Sequence, residues 1–477
     1  MMNRIETLEQ VARQLEPDEQ IQKSLAEKVL SHANDFLTHL DDEKAFFQNP
    51  EPSSIDQLSD GPEGIDDILQ FLRSNVELDG INAASGGHMG YVPGGGLYPS
   101  ALGDFLAAVS NKYAGIYFPA PGAARMENML IRWMNELMGF PSDAAGNLTS
   151  GGSISNLIAV VTAREAMDVK AKDFHRLVVY LSDQTHHSLQ KALRIAGLGE
   201  AQLRYLPVDN HFRLDISSLD ELIENDRKKG LLPFFINASL GTTNTGTIDP
   251  IKEMATIAQH QKVWFHVDAA YGGFFRLLPE VQKKTSGIEL ADSITLDPHK
   301  SLFLPFGTGA VLIKNLTALY KAHRYTADYL QDLVDSDSEI NAADVSPELT
   351  KHFRALRMWL PLKLFGIKPF RAAVEEKMLL AQYCRQQLMQ IDGFEVGPEP
   401  DLSITVFRYV PPAGDANAYN EKLIKAIQDD GRIFLSSTTI HEKFWIRVAI
   451  VVFRTHKSKV DLLLEIVQEK VKELNKG

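Results

Sequence analysis

The feature that most constrains the fold is the stretch from about residue 145 to 315, where short apolar runs alternate with amphipathic helical segments. Strands separated by helices are joined by crossover connections, which produce a mainly parallel sheet with helices on both faces. Ligands of such sheets bind outside the carboxyl ends of the strands. The stretch therefore predicts an α/β domain, and its strand-like runs include 177–181, 233–238, 263–267 and 309–313.

The N-terminal part of the chain has a different pattern. Between residues 17 and 40, apolar residues recur at helical spacing, and a turn-rich stretch follows at 49–54. This pattern predicts a helix joined by a turn to the main body. We therefore expect an N-terminal helical segment at residues 1–90.

The C-terminal part reads as a second, smaller unit. A charged, irregular segment at 328–350 is followed by a predicted long helix that starts near Pro347. Alternating apolar and polar residues then predict strands. These observations divide the rest of the chain into a large domain at 91–369 and an α+β domain at 370–477, with strands near 403–408 and 445–450.

Composition excludes several classes of partner. The chain has 477 residues with a formal net charge of −13, so it has no basic surface suited to nucleic acid. Cys384 is the single cysteine and cannot form an intrachain disulfide. The N-terminus lacks a basic-then-apolar leader, and no apolar run approaches the roughly 18 residues that span a bilayer. We expect a cytoplasmic protein without nucleic-acid or membrane partners.

Two residues at predicted strand ends point to a flat carbonyl cofactor. Lys300 lies in the run Leu-Asp-Pro-His-Lys-Ser after an apolar strand, and a confined lysine can form a Schiff base. Asp268 and Ala270 end another strand and point to the same face, so both can contact one ring. A carboxylate there can keep a ring nitrogen protonated. A solvated lysine and a helix-capping aspartate are the simpler alternatives.

Two further loops fit the same ligand. Gly152 and Ser153 precede a helical pattern, and a glycine-rich helix start offers backbone N–H groups to a phosphate, although an ordinary helix cap has the same residues. His186 and His187 follow a strand, where a neutral imidazole can stack on a ring. Neighbouring histidines point in different directions and no third ligand is evident, so we predict no metal site.

Taken in order along the chain, these motifs resemble the group II pyridoxal 5′-phosphate (PLP)-dependent amino-acid decarboxylases, the family of aromatic-L-amino-acid, glutamate and diaminobutyrate decarboxylases. The resemblance extends over about residues 65–456. It implies the type I, aspartate aminotransferase-like fold of PLP enzymes, with a mainly parallel seven-stranded sheet and a smaller C-terminal α+β domain. It also implies PLP as cofactor, an amino-acid substrate, and a homodimer with active sites at the subunit interface.

The resemblance also implies individual roles. Lys300 would carry PLP as an imine, Asp268 would pair with the pyridine nitrogen, and His186 and Ala270 would lie on opposite faces of the ring. His187 stands where the family more often has Ser or Tyr. The other implied cofactor-binding residues are Gly152 and Ser153 at the phosphate, His299 nearby, Thr243 near the cofactor hydroxyl, and Gly366, which would reach the phosphate in the partner subunit.

Departures from the family leave the substrate and part of the chemistry open. The substrate-pocket segment contains Tyr91, Val92 and Pro93, but Val92 and Gly94 replace bulkier residues, so the amino acid cannot be predicted. Asp297 stands where animal aromatic decarboxylases have Asn.

The family's mobile loop carries a tyrosine that delivers a proton to Cα, and its expected slot near Ala342 holds none. The nearest tyrosines are Tyr320, Tyr325 and Tyr329. The proton donor is then His186, Lys300, a water or one of these tyrosines. Amine formation is the main expectation; the alternatives are an aldehyde synthase, a C–C lyase and a non-catalytic PLP-binding relative.

Overall fold

The computed structural model describes residues 1–48, 58, 61–325 and 339–476. The N-terminal part is helical, as predicted. The side chain of Asp18 accepts a hydrogen bond from the backbone N–H of Ile21 at 2.8 Å and so caps the helix predicted at 17–40. The elements are α1 (Met2–Ala12), α2 (Glu19–His39), β1 (Phe46–Phe47), α3 (Ile65–Leu72) and β2 (Gly80–Ile81).

The large domain is a helix-covered sheet. Its helices are α4 (Tyr98–Ser110), α5 (Pro121–Met138), α6 (Gly152–Ala166), α7 (Ser188–Ile195), α8 (Leu219–Lys228), α9 (Ile251–Gln261), α10 (Pro279–Lys284) and α11 (Leu316–His323). Its strands are β3 (Ala145–Thr149), β4 (Leu177–Ser182), β5 (Gln202–Leu206), β6 (Leu232–Ser239), β7 (Trp264–Ala269), β8 (Ser293–Leu296) and β9 (Gly309–Ile313).

The sheet topology confirms the fold class. Within the described residues, seven strands pair in the order β3-β9-β8-β7-β6-β4-β5. Strands β5, β4, β6, β7 and β8 are parallel, and β9 runs antiparallel to β8 and β3. Every residue of β3, β4 and β9 is buried, as expected for a sheet covered on both faces.

The smaller C-terminal unit has its own sheet and core. Its strands are β10 (Phe394–Val396), β11 (Ile404–Tyr409), β12 (Ser436–Ile440) and β13 (Lys443–Ala449). They pair in the order β10-β11-β13-β12, all antiparallel, and Cys384 is buried in the apolar core between this sheet and its helices. The predicted strands at 403–408 and 445–450 are confirmed. Its helices are α13 (Ile367–Leu388), α14 (Ala416–Asp430) and α15 (Lys457–Leu474). The preceding helix, α12 (Ala355–Phe365), packs against α4 of the large domain.

The prediction of one long helix from Pro347 was wrong. The chain before Ala355 is irregular because the buried amine of Lys351 bonds to Glu127 and Asn147, which ties this segment to the sheet domain. Gly366, at φ +68°, then separates α12 from α13. Position 370 lies inside α13, and the domain boundaries remain predictions.

Within the described ranges, no helix combines the length and the apolar character needed to cross a membrane.

Candidate active site

A cavity of about 300 Å³ opens at the carboxyl edge of the parallel strands. It is lined by residues that follow different strands: Gly152 after β3, His186 after β4, Thr243 after β6 and Lys300 after β8, with Asp268 near the end of β7. The sheet therefore brings together side chains that are far apart in the sequence. This is the position at which open α/β sheets bind ligands.

Asp268 presents a fixed carboxylate to the cavity. Its Oδ1 accepts a hydrogen bond from the backbone N–H of Ala270 at 3.1 Å, and its Oδ2 accepts one from Asn156 Nδ2 at 3.1 Å. Each carboxylate oxygen has a second lone pair for a further donor. The side chain can therefore accept a proton-bearing ring nitrogen without losing the bonds that orient it.

Lys300 lies in a turn beside a second carboxylate. Its Nζ is 3.0 Å from Asp297 Oδ2, and its backbone N–H donates to the Asp297 carbonyl at 2.9 Å. Asp297 is 2% exposed, and its Oδ1 has no hydrogen-bond partner among the described residues. A buried carboxylate oxygen without a donor is costly. The cavity therefore contains an acceptor that a bound group with a donor would satisfy.

The two histidines of the site are held by neighbouring polar groups. His186 Nδ1 lies 2.7 Å from Ser188 Oγ, and burial lowers the pKa of His186. His299 Nδ1 is 2.6 Å from the carbonyl oxygen of Thr308, which can only accept, so His299 donates there. Burial also lowers the pKa of His299. Both imidazoles are thus set up as neutral groups near neutral pH.

The start of α6 forms a close cradle. Gly151, at φ +155°, precedes Gly152, where a Cβ atom would come within 3.1 Å of Asp297 Oδ2 and 3.4 Å of Ala270 Cβ. Any side chain at 152 would fill this side of the cavity. Free backbone N–H groups at a helix start favour an anion such as a phosphate, and Ser153 adds a hydroxyl there.

Four of the predicted site residues lie outside this cavity in the single chain: Tyr91, Val92, Pro93 and Gly366. The segment around Tyr91 still borders the site, because a Cβ at Gly94 would be 2.4 Å from the His299 carbonyl. Arg447 of the smaller domain donates to the carbonyls of Tyr91 and Thr243 and so connects this segment to the site.

Some site residues were missed by the sequence analysis. Asn156 and Ser188 bond to Asp268 and His186, while Gln184 and Tyr271 line the cavity. Only Asn156 had a usable signal: it lies one helical turn after Ser153 and therefore on the same face of α6. Across the described ranges there is no cluster of His, Cys, Asp or Glu arranged to hold a metal ion.

The expected tyrosine slot lies on a packed turn. Ala342 is buried, and the N–H of Ala343 donates to the carbonyl of Gly115 at 2.9 Å. A tyrosine at 342 would overpack this turn. Tyr325 is described and exposed, whereas Tyr329 and the acidic run 332–338 lie outside the described residues.

These residues fit PLP. A lysine beside a buried carboxylate, a fixed aspartate and a glycine-lined anion cradle meet in one cavity at the edge of a mainly parallel sheet. The unpartnered Asp297 Oδ1 and the space kept open by Gly152 show that the cavity suits a polar group that the chain alone does not supply. The fold and the site define a PLP enzyme of fold type I.

Comparison with known proteins identifies the family. A family model described as "Pyridoxal-dependent decarboxylase conserved domain" matches residues 51–410. An aromatic-L-amino-acid decarboxylase from Bacillus atrophaeus is 36% identical over 394 residues, which cover 82% of each chain. A phenylacetaldehyde synthase from Petunia hybrida is 29% identical over 428 residues, which cover 85% of each chain.

A solved structure confirms the fold. The structure of Oryza sativa TDC with PLP and tryptamine superposes with a TM-score of 0.91 at 24% identity, and the match covers 96% of this chain and 99% of that chain. The chain belongs to the pyridoxal-dependent decarboxylase family. It is a PLP-dependent amino-acid decarboxylase, and the comparisons favour decarboxylation over the aldehyde-synthase and C–C lyase alternatives.

Proposed function

We propose that this enzyme converts an aromatic L-amino acid to the corresponding amine and CO₂, with Lys300 as the residue that holds PLP. The observation that carries the proposal is the meeting of Lys300, Asp268 and His186 in one cavity. The aromatic substrate is supported by the similarity to the Bacillus atrophaeus enzyme.

The residues proposed to bind the cofactor have separate roles. Bound PLP supplies an electron sink for the pair left when the Cα–carboxylate bond breaks. Asp268 would pair with the ring nitrogen and keep it protonated, because two hydrogen bonds orient its carboxylate at the end of β7. His186 and Ala270 would lie against the faces of the ring. The remaining contacts are assigned to Gly152 and Ser153 at the phosphate, His299 beside them, and Thr243 near the cofactor hydroxyl.

A proton must reach Cα after CO₂ leaves. In the described part of the chain, His186 and Lys300 both line the cavity, while the tyrosine slot near Ala342 is a buried turn. We assign the proton delivery to one of these two side chains. The contact with Ser188 Oγ fixes the orientation of the His186 ring at the cavity.

The active form is a homodimer. Phe105, Leu106 and Val109 on α4 are exposed, and so is Phe365 at the end of α12, which packs against α4. Contiguous exposed apolar side chains mark an interface rather than a free surface. Gly366 follows Phe365 directly, and a Cβ atom at this position would have no described neighbour within 4 Å. This open space suits its expected approach to the phosphate in the partner subunit.

The enzyme acts in the cytoplasm on a small-molecule substrate, without nucleic-acid or membrane partners. One feature of the chain supports the location and another supports the absence of nucleic-acid partners. Cys384, the one cysteine of the sequence, is buried and unpaired, as is usual in a reducing compartment. The net charge of −13 opposes binding to polyanions.

A substrate panel tests the proposal. Purified enzyme with PLP is offered the twenty common amino acids, diaminobutyrate and ornithine, and released CO₂ is measured together with amine and aldehyde. We expect CO₂ and amine in equal amounts from one or more of the aromatic amino acids. CO₂ from acidic or basic amino acids alone would contradict the aromatic substrate.

The same panel, repeated without dioxygen, tests the alternative product. Amine formation that is unchanged without dioxygen is the expected result. Aldehyde as the main product, formed only with dioxygen, would favour the aldehyde-synthase alternative instead. Tyr325→Phe is the control for a tyrosine that donates the proton, and we expect it to leave turnover unchanged.

A further inference from the structure

A buried asparagine beneath the cavity joins its two sides. Asn156, on α6, is 1% exposed and bonds to four side chains. Its Nδ2 lies 3.1 Å from Asp268 Oδ2 and 2.9 Å from Ser188 Oγ. Its Oδ1 lies 2.6 Å from Thr295 Oγ1 and 3.1 Å from His266 Nε2. Both N–H donors and both acceptor lone pairs of this amide are therefore used.

The direction of each bond follows from chemistry. A carboxylate only accepts, so the amide nitrogen of Asn156 faces Asp268 and the amide oxygen faces Thr295 and His266. His266 must then donate from Nε2, which leaves Nδ1 to accept from Ser293 Oγ at 2.8 Å. Burial lowers the pKa of His266 to about 4, in agreement with a neutral ring.

The same logic fixes the proton on His186. Because Ser188 Oγ accepts from Asn156, its own proton is free to donate to His186 Nδ1 at 2.7 Å. The backbone N–H of Ser188 also points at Nδ1, at 3.3 Å. Two donors meet at this nitrogen, so it carries no proton. The proton of the neutral ring is on Nε2, at the opposite edge of the imidazole.

Charges around His186 come from several elements. Asp268 on β7 and Asp297 after β8 favour a protonated ring, whereas Lys300 and the adjacent His187 oppose it. Burial is the largest effect and lowers the pKa of His186. The hydrogen-bond geometry acts in the same direction, because a second ring proton on Nδ1 would face two donors.

We propose that Asn156 is a positioning residue that acts on both sides of the cofactor: one amide N–H orients Asp268, and the other, through Ser188, holds His186 with its proton on Nε2. This inference deepens the proposed function and rests on it for the roles of Asp268 and His186. Its chemical consequence is that His186 offers an N–H donor, not a lone pair, at the ring edge away from Ser188.

The first measurement is the pH titration of His186 in cofactor-free protein with ¹³C-labelled histidine, with the signal assigned by its loss in His186→Gln. Ser188→Ala removes one donor to Nδ1, so the midpoint should rise by about half a unit to one unit. Asn156→Leu lets the Ser188 hydroxyl turn and accept from the ring, so the midpoint should rise by a similar amount. The double variant should shift no further than either single variant.

The second measurement is PLP affinity, from titration of cofactor-free protein. Asn156→Leu removes the donor to Asp268 and should weaken binding by about tenfold or more, whereas Ser188→Ala should change it by less than about threefold. Asn156→Ser is measured alongside, since its short hydroxyl cannot reach both partners. This smaller change keeps the test valid if the leucine variant does not fold.

Asn420→Leu is the matched control. Asn420 is also a fully buried helical asparagine, but its amide bonds to the backbone of Tyr409 and Ala416 in the smaller domain. The Asn420→Leu variant should be less stable than wild type, but it should change neither the His186 midpoint nor the PLP affinity. Additive shifts in the double variant, an unmoved His186 midpoint, or equal loss of PLP affinity in the Asn156 and Asn420 variants would each overturn the proposal. Neither readout requires turnover, so a wild-type protein that binds PLP but releases no CO₂ would refute the proposed function alone.

Discussion

Replacing Asp268 by asparagine is the sharpest perturbation of the site. The carboxylate accepts two N–H bonds, from Ala270 and from Asn156. An amide has one oxygen, so one of these donors would face an NH₂ group instead, at a cost of about 1–3 kcal/mol. The amide also cannot stabilise a protonated ring nitrogen by charge. Together these losses amount to roughly 4–5 kcal/mol of transition-state stabilisation, or about 10³–10⁴ in kcat/KM.

The assay is CO₂ release under kcat/KM conditions, with thermal unfolding as a check on the fold. Asp292→Asn is the matched control, because Asp292 also accepts a backbone N–H, from Phe265 at 2.8 Å, but lies at the opposite edge of the sheet. The control should retain wild-type kcat/KM. An Asp268→Asn enzyme that stays within about tenfold of wild type would refute the assignment of Asp268 to the ring nitrogen.

Two further predictions concern the interface and acid stability. Val109→Glu should yield monomers in light scattering and abolish activity, whereas an active monomer would exclude interfacial sites. Between about pH 6 and pH 4.5, the free energy of unfolding should decrease as the pH falls, by on the order of 1 kcal/mol per pH unit for each histidine that is buried neutral, measured by urea denaturation. The reason is that burial lowers the pKa of several histidines from 6.5 to about 4, so the unfolded chain binds their protons first and stability is lost as pH falls through this window. These histidines are His88, His266 and His323, and Asp249, whose pKa is raised to about 6, offsets one of the three protons. A flat profile would contradict neutral burial of these rings.

Much of the fold followed from local patterns. The buried runs at 177–181 and 309–313 are strands because continuous apolar residues suit a sheet covered on both faces. The helix expected from Pro347 failed because Lys351 bonds to Glu127 and Asn147, which are more than two hundred residues away in sequence. Local periodicity carries no information on such a contact.

The site residues also fall into those that local sequence patterns predicted and those that they did not. Lys300, Asp268 and His186 were predicted because each lies at the end of a strand-like run, and strand ends meet at one edge of a parallel sheet. Gly152 was predicted because it begins a helical pattern, where backbone N–H groups can bind a phosphate. Asn156 and Ser188 were missed because their importance lies in bonds between α6, α7 and β7, which sequence spacing does not reveal. The roles of Tyr91 and Gly366 stay predictions, because both residues lie outside the cavity of the single chain.

Borohydride trapping tests the central claim most directly. Enzyme purified with PLP is reduced, digested, and searched by mass spectrometry for pyridoxyl-lysine, while the same preparation is assayed for CO₂ release before and after reduction. The account predicts that the label lies on Lys300 and that reduction abolishes CO₂ release. A label on another lysine, or full CO₂ release from the reduced enzyme, would contradict it.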